Sequence, residues 1–119
     1  MAALDRIPFT LPEDGLREIT GFVHFDGEFL VIDVRSKLLG FLDEQRDVIK
    51  VALTAIRSVQ LKPGLVRDKV VIRPRSFDLL EAVPGDHDRE VALRTKRKHR
   101  ARAEDLVDDV LYHLRPVGD

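Results

Sequence analysis

Residues 48–75, VIKVALTAIRSVQLKPGLVRDKVVIRPR, are a succession of apolar runs rich in Val and Ile, broken by one strong turn at Lys62-Pro63-Gly64. β-Branched side chains lose rotamer freedom in a helix and pack well on a pleated surface, so this stretch argues for a β-rich core. Its first part reads two ways. Val48, Ile49, Ala52, Leu53 and Ile56 fit one helical face that Asp43 would cap, whereas the β-branched Val48, Ile49 and Val51 favour an extended segment. The expectation is a strand turning a tight corner at Thr54-Ala55. A strand over 57–62 then ends at Pro63-Gly64, and a short one over 69–73 sets Val70 and Ile72 on one side and Val71 on the other. Pro74 lacks the N–H a ladder needs, so it ends that strand or marks an edge.

Upstream, residues 19–26 and 29–35 flank Asp26-Gly27, a dipeptide favoured where a hairpin needs positive φ. In the second arm Leu30, Ile32 and Val34 share the face expected to point at the core, opposite Phe29, Val31 and Asp33. Residues 1–18 are expected to be an arm or short helix, because Thr10 and Glu13 have capping-box spacing and Pro12 suits a first turn. Residues 36–46 read as a loop. Downstream, 77–83 and 90–95 are expected strands, the second with Val91 and Leu93 inward. The last element is an amphipathic helix over 101–114, with Ala103, Leu106, Val107, Val110, Leu111 and Leu114 recurring at three and four. Pro116 stops it.

The chain has 119 residues, a common single-domain size, so residues 19–119 are expected to be one domain behind the 1–18 arm. It has no cysteine, which excludes disulfides and thiolate chemistry. Asp5 and Pro8 interrupt any signal-peptide pattern and no apolar run approaches a transmembrane length, so the expected address is cytoplasmic. The formal charge of −1 gives the molecule as a whole no pull toward polyanions.

About seven short strands and a C-terminal helix imply an α+β, mainly β fold: a bent antiparallel sheet or open barrel closed by the helix. The order of the DG hairpin, VALTAI, the strand ending in KPG, DKVVIRP, VPGDHDREVALRT and the final helix resembles the bacterial pleckstrin-homology-like, or GRAM-like, domains over residues 19–114. The resemblance implies a binding scaffold. It departs from the lipid-binding members at the first hairpin, where His24-Phe25-Asp26-Gly27-Glu28 sets two carboxylates in place of the cations that hold a phosphoinositide.

Residues 89–102 hold seven cations against one acid, Glu90, and are followed by Glu104, Asp105, Asp108 and Asp109. Cations near a helix N-terminus oppose its dipole, so helix formation does not explain them. Arg94, Lys96, Arg97, Lys98 and Arg100 are therefore the candidate anion contact, for anionic lipid or nucleic acid. A solvated turn neutralised by the acidic helix face or by a neighbouring subunit is the favoured explanation, since no aromatic residue interleaves to stack a base. Arg67, Lys69, Arg73 and Arg75 extend the basic surface if their strand lies close. Leu38, Leu39, Phe41 and Leu42 form a candidate interaction patch unless the loop folds back over its own sheet.

Asp86-His87-Asp88 reads as a polar turn rather than a metal site, because adjacent residues diverge and no close His pair completes a ligand set. Ser36, Ser58 and Ser76 lack a nucleophile-elbow context and no Gly-rich phosphate loop is present. The expectation is a protein without catalytic residues or a cofactor: a protein-interaction module, partnered by a second copy or another protein. The alternative is an anion-binding adaptor acting through residues 94–102.

Overall fold

The structure, a computed structural model, describes residues 6–14, 17–38, 44–75, 78–83 and 89–114. Strands β1 (Ile7–Asp14), β2 (Arg17–Phe25), β3 (Phe29–Leu38) and β4 (Glu44–Ala52) form an antiparallel meander. A 3-10 corner at Leu53–Ala55 leads to β5 (Ile56–Lys62) and β6 (Arg67–Pro74). The short helix α1 (Asp78–Ala82), strand β7 (Val91–Lys96), a 3-10 turn at Arg97–His99 and helix α2 (Arg100–Leu114) complete the chain. The sheet order is β4-β3-β2-β1-β7-β6-β5, with β4 and β5 as its unjoined edges. This is the mainly β fold expected from the sequence: seven antiparallel strands, not closed, with one C-terminal helix.

Alternation of period two sends one set of side chains inward from every strand. Ile7, Phe9 and Leu11 of β1, Leu30, Ile32 and Val34 of β3, Val70 and Ile72 of β6, and Val91 and Leu93 of β7 all belong to one buried cluster. Onto it α2 lays Ala103, Leu106, Val107 and Val110. Burial of each of its larger aliphatic side chains contributes roughly 1.5–3 kcal/mol, which is what holds an otherwise marginal 15-residue helix in place. None of the described helices is long and apolar enough to cross a membrane.

The Asp26-Gly27 turn forms as expected. Gly27 takes φ 97°, and Asp26 Oδ1 accepts the N–H groups of Glu28 and Phe29 at 2.8 and 2.7 Å. The bond from Phe29 is the main reason the Asp26 carboxyl is held below its ordinary range. The corner after Ala52 and the end of β6 at Pro74 also fall where the sequence places them.

Four expectations are corrected. Residues 7–14 are a strand rather than an arm or short helix, because Ile7, Phe9 and Leu11 alternate into the core and outweigh the local capping signal. Residues 78–82 are a helix rather than a strand. Both sides of β6 are already paired, with β5 and β7, so the segment after it cannot pair back onto it, and Asp78 and Glu81 suit a helical first turn. The expected loop 36–46 is shorter, since β3 runs to Leu38 and β4 begins at Glu44. Leu111 is 41% exposed rather than core, because it lies about 100° round the helix from Val110, beyond the buried stripe. Leu61 is only partly buried against the core.

Gly21 marks the tightest approach in the sheet. A Cβ there would meet the Asp33 carbonyl oxygen at 2.1 Å and the Phe9 ring at 2.8 Å, and the first of these is backbone. Gly21→Ala is expected to destabilise the fold by about 1–3 kcal/mol through overpacking, read as a lower urea midpoint. An unchanged midpoint would show that β1 to β3 can part at no cost.

Candidate anion-binding site

The register of β6 on β7 decides where the basic residues go. Arg67 stands opposite Lys96, Asp68 opposite Thr95, and Lys69 opposite Arg94. Alternation therefore turns Asp68 and Thr95 inward, where both are buried, and leaves two directly opposed cation pairs on the outward face. Like charges directly opposite one another destabilise a sheet. On the other side of β7 the only described register pair with β1 is Thr10 with Arg94. That short seam leaves a cavity of about 230 Å³, walled by Pro8, Phe9, Thr10, Arg67, Arg94, Thr95, Lys96, Lys98 and His99.

Four of these wall residues are cations, none is an acid, and none of the four makes an ion pair among the described residues. The buried Oγ1 of Thr95 has no hydrogen-bond partner among the described residues. Arg102 Nη2 lies 2.7 Å from His99 Nδ1. A guanidinium only donates, so Nδ1 accepts and the proton of the neutral ring sits on Nε2. Burial first, and then the charges of Arg102, Lys98 and Lys96, push the His99 pKa below its ordinary 6.5. The cavity is thus lined by four cationic residues and the neutral His99, with Thr10 and Thr95, around the apolar Pro8 and Phe9.

The candidate contact read from the sequence is divided by the structure. Arg94, Lys96 and Lys98 do meet at this cavity. Arg97 instead donates to the Leu65 carbonyl at 3.0 Å, and Arg100 is committed to Asp68. Sequence reasoning left Arg67 conditional on its strand lying close, and the register settles that it does. Thr10, Thr95 and His99 were missed; nothing in the linear order joins Thr10 to Arg94. Arg73 pairs with Glu90 at 3.2 Å and is no part of the site. Of the apolar patch, Leu38 ends β3 half-buried, and Leu39, Phe41 and Leu42 lie outside the described residues, as does Asp86-His87-Asp88.

Arg100 Nε and Nη2 donate to Asp68 Oδ2 and Oδ1 at 2.9 and 2.8 Å, and the Gly64 N–H donates to Oδ1 at 3.1 Å. Arg100 Nη2 also reaches the Gly64 carbonyl at 3.4 Å. The Asp68 side chain is 0% exposed, and its pair with Arg100 holds its pKa down to about 2. A second charged cluster occupies the outer side of β2 to β4, where the buried Arg35 Nε has no hydrogen-bond partner among the described residues. There Asp33 accepts from Arg46 at 3.1 and 2.7 Å and from Arg6 at 3.4 Å, while Arg6 lies 4.6 Å from the Phe22 ring centre. The Arg46 bond is the main reason Asp33 also titrates below its ordinary range.

Comparison with protein families, with curated proteins and with solved structures returned no match for this chain.

The Asp68 pair sets a pH dependence. A carboxyl whose folded pKa is about 2 against an ordinary 3.8 stabilises the fold fully above the higher value and loses that contribution as pH falls through the lower one. Asp68→Asn is expected to lower the urea midpoint at neutral pH and to flatten the acid limb between those two values. An acid limb of unchanged steepness would assign it to other carboxylates.

Proposed function

We propose that this chain is a non-catalytic binding module of pleckstrin-homology-like layout, whose ligand is an anionic, phosphate-bearing group taken up between β1 and β7. One observation carries the reading. Arg67, Arg94, Lys96 and Lys98 converge on one cavity with no acid in its wall, and two cross-strand pairs of like charge flank it at a cost to the fold. A surface shaped by solubility alone would intersperse the two signs. An anion would relieve that repulsion. The strand order and the C-terminal helix support the likeness to pleckstrin-homology-like domains at the level of layout.

Self-association is the second reading. Helix α2 exposes Glu104, Asp105, Asp108 and Asp109 beside Leu111 and Tyr112, a surface opposite in charge to the cavity of another copy. A molar mass above that of one chain at low salt, falling to 13.6 kDa at high salt, would favour it.

The test of the first reading is titration with pyrophosphate, followed by calorimetry and by the His99 ring signals. Binding is expected to raise the His99 pKa, because a bound anion offsets the cations that depress it. Arg94→Gln with Lys96→Gln is expected to weaken binding about tenfold or more, equivalent to ~1.4 kcal/mol. The same variant should keep its urea midpoint or gain a few tenths of a kcal/mol, because two like-charge contacts are relieved. Unaltered affinity, or none in the parent chain, would overturn the assignment.

A further inference from the structure

The β5–β6 connection presents two large aliphatic side chains directly to solvent: Leu65 is 92% exposed and Val66 79%. Single exposed aliphatics are ordinary, but these are adjacent and their backbone is clamped. Arg97 donates to the Leu65 carbonyl, Arg100 reaches the Gly64 carbonyl, and the Gly64 N–H donates to buried Asp68. The tip cannot fold back to bury Leu65 without breaking these bonds. Gly64 also sits where a Cβ would meet the Arg67 carbonyl oxygen at 2.1 Å, so the turn is tight.

Charge beside the tip is basic along β6 and β7, while the exposed Glu104 and Asp108 of α2 share a pocket with Pro63 at its base. Lys62 pairs in register with Lys69, and Arg67 with Lys96, while Arg97 and Lys98 follow directly. The one acid between Lys62 and Lys69 is Asp68, which is buried and neutralised by Arg100. An apolar point bordered by cations along β6 and β7 matches an anionic bilayer, whose headgroups take the cations and whose acyl boundary takes the point.

We propose that this tip docks the chain on a membrane surface containing anionic lipid, with Leu65 and Val66 entering the interfacial layer and Lys62, Arg67, Lys69, Lys96 and Lys98 meeting the headgroups. The proposal rests on the reading of the neighbouring cavity as an anion site, which a headgroup phosphate would then occupy.

Sedimentation with vesicles of phosphatidylcholine, with and without phosphatidylserine, tests it. The parent chain is expected to sediment with the phosphatidylserine vesicles alone. Leu65→Ser with Val66→Ser should lower that partitioning about tenfold or more, while leaving pyrophosphate binding and the thermal midpoint unchanged, since neither side chain is packed. Neutralising a bordering cation should cost roughly fivefold each. The chain has no tryptophan, so Leu65→Trp supplies a single reporter whose emission should shift to the blue only on those vesicles.

Parent-like sedimentation of the serine variant, or absence of vesicle binding by a parent chain that still takes pyrophosphate, would overturn the tip and leave the cavity standing. Loss of vesicle binding in the serine variant, beside a parent chain indifferent to pyrophosphate, would keep the tip and overturn the cavity. Failure of both bindings, with a molar mass that falls when the tip is changed, would replace the bilayer by a second copy.

Discussion

A carboxylate removed from water must be offset by charge and hydrogen bonds, and Asp68 finds them in the adjacent turn and in a helix distant in sequence. Arg100 takes both of its oxygens, and the Gly64 N–H takes one of them again. One buried group thereby joins the middle strand of the second half-sheet, the turn before it and the first residue of α2. The position at which α2 begins sets which of its residues face inward, so Ala103, Leu106, Val107 and Val110 arrive over the sheet together. The same bonds fix the backbone on which Leu65 and Val66 stand. Core closure and the presentation of the tip thus share one anchor.

The basic tract separates once those commitments are subtracted. Arg100 and Arg97 hold the β5–β6 turn, and Arg102 turns to His99. Arg67, Arg94, Lys96 and Lys98 are left around one cavity, two of them directly opposed across a strand pair. The cations at the start of α2 oppose its dipole, and Arg100 recovers that cost through its buried partner Asp68. Asp33 shows the contrast. Arg6 and Arg46 are paired with it, and Arg6 and Arg35 lie over Phe22, so an acid sits among these cations, which the cavity wall lacks.

The seam between β1 and β7 explains why the site lies there. Paired strands elsewhere in the sheet satisfy each other over long registers, whereas these two are in register at Thr10 and Arg94. Separation at the seam opens space between side chains and leaves Thr95 Oγ1 buried without a partner among the described residues. A binding module needs a concave place with a few convergent polar groups, and an incompletely joined sheet supplies one without disturbing the core.

Much of this was legible in the sequence for local reasons. Asp26-Gly27 demanded a hairpin, the Val and Ile density of residues 48–75 demanded strands, and the three-and-four spacing after Ala103 demanded a helix, because turn chemistry and side-chain period act over a few residues. The strand at Ile7–Asp14 was legible too, in the alternation of Ile7, Phe9 and Leu11, but a capping-box spacing competed with it. The tertiary structure decided that residues 78–82 are helical, following a strand whose two edges are both taken. It alone decided which cations are free to meet a ligand. Arg97 and Arg100 read like Lys96 and Lys98 along the chain, and what distinguishes them is a carbonyl and a carboxylate more than thirty residues away, brought close by the pairing of β6 with β7. A sequence records charge locally, whereas the partner that neutralises it is set by register, and register is a property of the folded sheet.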